Sequence, residues 1–187
     1  MTQALSITDL FTIGIGPSSS HTVGPMRAAR DFAERALIRS DVGRVVCKLF
    51  GSLALTGHGH ATDTAILLGL AGHTPEGVCP DAIAGLIADI RNTDRLMLAG
   101  KVEIGFIETQ HLLFLKGEFL PGHANAMRFT ATYGDGSEYH ETYFSIGGGA
   151  ISRMDADAPR LNFELKHPFG SGERLLEIGN QTGLTFG

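Results

Sequence analysis

Three clusters of residues in this chain join side-chain types that can do chemistry with spacings that can bring them together. The first is Gly16-Pro17-Ser18-Ser19-Ser20-His21-Thr22, which runs directly into a helical pattern. A helix start leaves N–H groups without intrahelical acceptors and carries a partial positive charge, so it favours a carboxylate or a phosphate. Ser18, Ser19, Ser20, His21 and Thr22 add orientable hydroxyls and an imidazole, and together they can cradle a small anion. The same residues also read as a Ser/Thr N-cap on an ordinary helix.

The second cluster is Thr56-Gly57-His58-Gly59-His60-Ala61-Thr62-Asp63. If a helix begins near His60, then His60 and Asp63 lie three apart and share a face. An imidazole beside a carboxylate is a general base, oriented and made more basic by its partner. A helix-capping loop with solvent-facing histidines uses the same residues, as does the start of a metal site at His58 and His60. The third cluster is His123-Ala124-Asn125, just before an apolar strand pattern. His123 and Asn125, two apart at a strand entrance, point the same way and can offer a donor and an acceptor to a small polar ligand. Equally, they can satisfy their own backbone. Gly147-Gly148-Gly149 allows close backbone approach or a turn, but neither a dinucleotide fingerprint nor a P-loop is present.

The elements that must position these clusters follow from periodicity. Thr22 to Arg39 reads as an amphipathic helix with Met26, Ala29, Ala33, Ala36 and Leu37 on one stripe. Arg44 to Phe50 is a buried-strand pattern. His60 to Ala71 is a helix that turns apolar nearly all round, and Asp81 to Arg91 is a further helix. Strands follow at Val102 to Ile107, Leu112 to Leu115, Met127 to Tyr133 and Tyr139 to Ile146, the last two joined by a Gly134-Asp135-Gly136 turn. In the Met127 strand, apolar residues alternate with Arg128, Thr130 and Thr132, which leaves one face wet. Asn162 to Leu165 can form a last strand, and His167 to Gly172 has linker composition. The expected fold is α+β: two layers, a mixed, mostly antiparallel sheet, and helices on one face.

Composition excludes several classes. A chain of 187 residues with net charge −5 and no Lys/Arg run does not carry a nucleic-acid footprint. Its longest apolar stretch, near Ala65 to Ala71, falls far short of the roughly 20 residues of a membrane span. Met1 to Phe11 has no leader pattern, and two cysteines suit a reducing, cytoplasmic compartment. Cys47 and Cys79 are too few for a disulfide framework, an iron–sulfur cluster or a thiolate zinc site.

Taken together, Gly16-Pro17-Ser18-Ser19-Ser20-His21-Thr22-x-Gly24-Pro25, Gly51-Ser52-Leu53-Ala54-x-Thr56-Gly57-x-Gly59-His60-x-Thr62-Asp63, His123-x-Asn125 and Gly147-Gly148-Gly149 resemble one family. It is the β domain of bacterial iron–sulfur L-serine dehydratase, or L-serine ammonia-lyase, and the likeness runs from about Leu5 to Leu176. The resemblance implies conversion of L-serine to pyruvate and ammonia with a 4Fe-4S cluster instead of pyridoxal phosphate. In that family a larger α domain supplies the cluster cysteines, and an iron without a protein ligand polarises the substrate hydroxyl.

For this chain the resemblance implies His60 as the base, with Asp63 or Thr62 orienting it. It implies Ser18 to Thr22 as the cradle for the substrate carboxylate at the junction with the α domain. The family's β domain also resembles allosteric substrate-binding domains of some serine-pathway dehydrogenases, and His123 and Asn125 match a serine effector site there. The departure is the absence of cluster cysteines and of the α domain. Residues 1–168 are therefore expected to be the β domain and 169–187 a linker, in a chain excised from a single-chain enzyme, with a separate β subunit paired to an α subunit as the alternative arrangement. Alone it is expected to be catalytically silent, and the full protein to be a homo-oligomer. The alternative is a purely regulatory amino-acid-binding and oligomerisation module with no catalytic residue.

Overall fold

In a computed structural model the structure describes residues 13–154, 167, 169 and 171–183. The central strand β1 (Val42–Phe50) shows why a sheet forms here: Val45, Cys47 and Leu49 point to one side and are fully buried, while Arg44 and Lys48 point to the other. It pairs in parallel with β4 (Leu112–Phe114), setting Cys47 opposite Leu112, and antiparallel with β5 (Asn125–Tyr133), setting Leu49 opposite Met127 and Cys47 opposite Phe129. Strands β6 (Glu138–Gly147) and β7 (Ala150–Arg153) continue the sheet, giving the order β4-β1-β5-β6-β7. The expected turn at Gly134-Asp135-Gly136 joins β5 to β6, closed by Asp135 accepting from the Ser137 N–H at 2.9 Å.

Helix α1 (Val23–Ala36) packs on the inner face against β5, β6 and β7, and α3 (Thr62–Leu70) packs beside it against α1. Phe32 of α1 stacks on Phe129 at 5.1 Å and on Tyr139 at 5.6 Å, and its complete burial contributes about 1.5–3 kcal/mol. The outer face, with Lys48, Arg128 and Thr130, keeps contact with solvent. The architecture is the expected one: α+β, a mixed sheet, and helices on one side. Helix α4 (Pro80–Thr93) lies over α3 through Ile87 and Ile90.

Several short elements depart from expectation. Helix α2 (Gly51–Thr56) and a 3-10 turn (Gly57–His60) fill the stretch between the expected strand ending at Phe50 and the expected helix starting at His60, for which periodicity gives no element. Strand β2 (Arg95–Leu98) pairs with β3 (Val102–Gly105) in a separate hairpin, and helix α5 (Glu108–His111) follows. Strand β7 follows the Gly147-Gly148-Gly149 bend, which has positive φ at all three glycines. Residues expected to be linker carry helix α6 (Gly172–Thr182), started by a Ser171 side chain that accepts from the Arg174 N–H and ended by a left-handed Gly183. The expected strand Asn162 to Leu165 lies outside the described residues. No helix among the described residues is long and apolar enough to cross a membrane.

One contact sets the spacing of the helical layer. Gly69 of α3 lies so close to α1 that a Cβ there would be 2.2 Å from the Met26 carbonyl oxygen and 2.8 Å from the Ala29 Cβ. Gly69→Ala must push the helices apart and should cost about 1–3 kcal/mol. The expected readout is a lower urea midpoint with an unchanged slope; an unmoved midpoint would show that the helices are not held at this distance.

Candidate functional site

The first and second clusters meet at the starts of α1 and α3. Thr62, the first residue of α3, donates its hydroxyl to the His21 carbonyl oxygen at 2.7 Å, so the two helices start side by side. Fourteen- and nine-residue helices then bring their positive ends to one place, which favours an anion there. The amides of the first cluster are largely satisfied from within: Thr22 N donates to Ser18 O at 2.9 Å and Gly24 N to Ser19 O at 2.9 Å. The Thr22 hydroxyl, fully buried, donates to Ser18 O at 2.7 Å rather than capping the helix. Donors for a ligand therefore come from side chains more than from the helix-start amides that the sequence suggested.

Those side chains gather around His21. Its Nδ1 lies 3.1 Å from Ser20 Oγ and 3.4 Å from Ser18 Oγ, and the two serines are 3.2 Å apart. Its Nε2 lies 3.2 Å from Ser52 Oγ and 3.1 Å from Thr56 Oγ1. Ser52 and Thr56 lie within the quoted motif, and Thr56 opens the second cluster, but neither is given a role by the sequence pattern. They are four apart on α2, so they share a face, but a six-residue helix is too short to announce itself by periodicity.

His60 sits on the 3-10 turn with its ring centroid 4.7 Å from that of His21. Its Nδ1 donates to the Thr56 carbonyl at 2.9 Å, because a carbonyl oxygen can only accept. The expected orienting carboxylate is elsewhere. Asp63 accepts from Arg91 Nη2 at 2.9 Å, and Arg91 also grips Glu108 through Nε at 2.6 Å and Nη2 at 3.0 Å. The share-a-face argument from i, i+3 spacing fails because Ala61 adopts a left-handed conformation (φ 57°), so His60 and Asp63 do not lie on one continuous helix. Asp63 faces instead a groove of about 630 Å³ lined by His58, Arg91, Glu108 and Phe114. His58 stacks on Phe114 at 3.9 Å, so the two histidines of the turn take different neighbours.

Burial, followed by the nearby His60 charge, lowers the His21 pKa from its ordinary value of 6.5, while hydrogen bonding of the ring to the Ser52 backbone opposes the shift. His21 is thus held neutral at physiological pH. The third cluster adjoins the first two through α2. Ser52 N donates to the Ala124 carbonyl at 2.9 Å, and Gly51 is bridged to Asn125. His123 Nδ1 accepts from the Asn125 N–H at 3.0 Å, and Asn125 Nδ2 donates to Ser145 O at 3.3 Å.

The donor set does not fit an iron–sulfur cluster. Cys47 is buried in β1 with its thiol pKa pushed well up by burial, Cys79 is exposed on its own, and no group of three or more His, Cys, Asp or Glu among the described residues is arranged to hold a metal ion.

Comparison with known proteins adds to this geometry. Residues 6–156 match the family described as serine dehydratase beta chain. The chain is 43% identical over 191 residues to an L-serine dehydratase of Streptomyces coelicolor, covering 98% of this chain and 42% of that protein. It is 44% identical over 187 residues to L-serine dehydratase 2 of Escherichia coli K12 (97% and 41%) and 36% identical over 183 residues to the L-serine dehydratase of Helicobacter pylori (94% and 40%). The chain spans about two fifths of the length of these curated relatives.

The His21 environment has a direct readout. In an NMR titration His21 should titrate below 6.5, and in His60→Ala its midpoint should rise as one of its two depressing influences is removed. A midpoint unmoved by His60→Ala would show that the imidazoles do not interact. By linkage, the native state binds fewer protons than the unfolded state once pH drops below 6.5, so this group's contribution to stability declines from there down through the depressed midpoint.

Proposed function

The chain belongs to the serine dehydratase beta-chain family, and from that premise we propose that it is the β half of an L-serine ammonia-lyase, converting L-serine to pyruvate and ammonia together with an α domain. On this reading residues 1–168 are the β domain and 169–187, which include α6, lead towards the α domain. The iron–sulfur cluster that the family resemblance implies belongs to the α domain. The free thiols Cys47 and Cys79 suit a cytoplasmic location, and the assembled protein is a homo-oligomer.

The observation that carries the reading is the pairing of His60 with Thr56. With Nδ1–H donated to the Thr56 carbonyl, a neutral His60 keeps its Nε2 lone pair available as a base. His60 takes the α-proton of L-serine, the β-hydroxyl departs as water, and the resulting aminoacrylate tautomerises and hydrolyses to pyruvate and ammonia. Ser18, Ser19, Ser20 and His21 form the cradle for the substrate carboxylate, supported by the positive ends of α1 and α3, and Thr22, bonded to Ser18 O, keeps that loop in shape. The Thr56 carbonyl rather than Asp63 orients the base, and Asp63 supports the start of α3 through Arg91.

A regulatory role alongside catalysis is favoured by the way Ala124, between His123 and Asn125, holds the Ser52 amide of α2. Serine bound at His123 and Asn125 would act on the helix that carries Ser52 and Thr56.

The test is His60→Ala in the full-length enzyme. Turnover should fall about 10²–10⁴-fold with the fold intact; near-full turnover would remove His60 as the base. His123→Ala should instead shift the serine dependence or abolish a lag. The present chain alone, given L-serine, should release no pyruvate.

A further inference from the structure

Beyond the choice of base, the proton positions around His21 can be deduced from the hydrogen bonds. Thr56 has one hydroxyl hydrogen. Its Oγ1 lies 2.9 Å from the Ser52 carbonyl oxygen, which can only accept, so that hydrogen makes the usual back-bond of a helical threonine to the residue four earlier. With that hydrogen committed, Thr56 Oγ1 can meet His21 Nε2, 3.1 Å away, only as an acceptor. Nε2 must then carry the proton. His21 Nδ1 is left as the acceptor for a serine hydroxyl, and Ser20 is the nearer at 3.1 Å. Ser18, 3.2 Å from Ser20, can donate to it in turn. The carbonyl of Thr56 itself takes the Nδ1–H of His60 at 2.9 Å.

We propose that Thr56 is the positioning residue of this site: its hydroxyl fixes His21 as the Nε2–H tautomer while its carbonyl fixes His60 as the Nδ1–H tautomer. The inference rests on the reading of His60 as the base and adds to it a device that sets both imidazoles in complementary states from one point on α2. The chain Ser20 to His21 to Thr56 to Ser52 O then runs in one direction, and the hydroxyl hydrogen of Ser18 is given to Ser20 or to a bound carboxylate. Ser52 receives part of the His21 Nε2–H at 3.2 Å, and its own hydroxyl hydrogen stays available to a ligand carboxylate. His21 serves as a neutral connector in this chain, and proton transfer is left to His60.

The test uses the 187-residue chain labelled with ¹⁵N-histidine, with long-range ¹H–¹⁵N spectra recorded at a pH where both rings are neutral. The wild-type spectrum should show His21 protonated at Nε2 and His60 at Nδ1. Thr56→Val, which keeps the carbonyl and removes the hydroxyl, should lose the pure Nε2–H signature of His21 and leave His60 unchanged; Thr56→Ser should restore it. A wild-type His21 protonated at Nδ1, or a signature that survives Thr56→Val, would overturn the proposal. The wild-type spectrum decides even where the valine variant fails to fold. No turnover enters the readout, so an active His60→Ala enzyme would remove the base assignment without touching this result.

Discussion

The close approach of α1 and α3 is the constraint on which the rest of the molecule depends. Both helices are seeded by loops that carry an imidazole, so the packing of the helices also brings the imidazoles together. Gly69 allows the Met26 backbone to come in where any side chain would hold it off, and the Thr62 hydroxyl pins the other end of the pair to the His21 carbonyl. The sheet's part is indirect. Val45, Cys47, Leu49, Met127 and Phe129 give the two helices a flat apolar floor, and α2, leaving the end of β1, brings Ser52 and Thr56 up to the rings from the third side.

The electrostatics of this junction are economical. Two imidazoles 4.7 Å apart in a partly buried place, next to two positive helix ends, disfavour a second positive charge. The structure meets this by keeping His21 neutral and surrounding it with hydroxyls, which serve equally as donors or acceptors. Arg91 of α4 is engaged by Glu108 and, at the start of α3, by Asp63. A carboxylate entering the junction therefore meets polarised N–H and O–H groups around a neutral imidazole.

Much of this was legible in the residues themselves. The stripe of Met26, Ala29 and Ala33 identified α1, the alternation of Met127, Phe129 and Ala131 identified β5 and its wet face, and the Gly-Asp-Gly turn identified the β5–β6 hairpin. His21 and His60 stood out because imidazoles beside glycines and hydroxyls at helix starts have few bland uses. What escaped was short or non-local. Helix α2 has six residues and β2 and β7 four each, too few to show a period. The partner of Asp63 could not be read at all, since Arg91 lies 28 positions away and only the tertiary fold brings it near. Helix spacing paired Asp63 with His60, but a single left-handed residue between them breaks that face.

That residue, Ala61, has a further consequence. Any side-chain-bearing residue held at φ 57° sits in a narrow well separated from its right-handed alternative by a steric barrier, at a cost of about 1–2 kcal/mol. Ala61 is the joint between the 3-10 turn that presents His60 and the helix that anchors against α1. That well holds the peptide following His60 in one orientation, so His60 is seated against Thr56 and His21 by backbone conformation and needs no helix of its own to carry it.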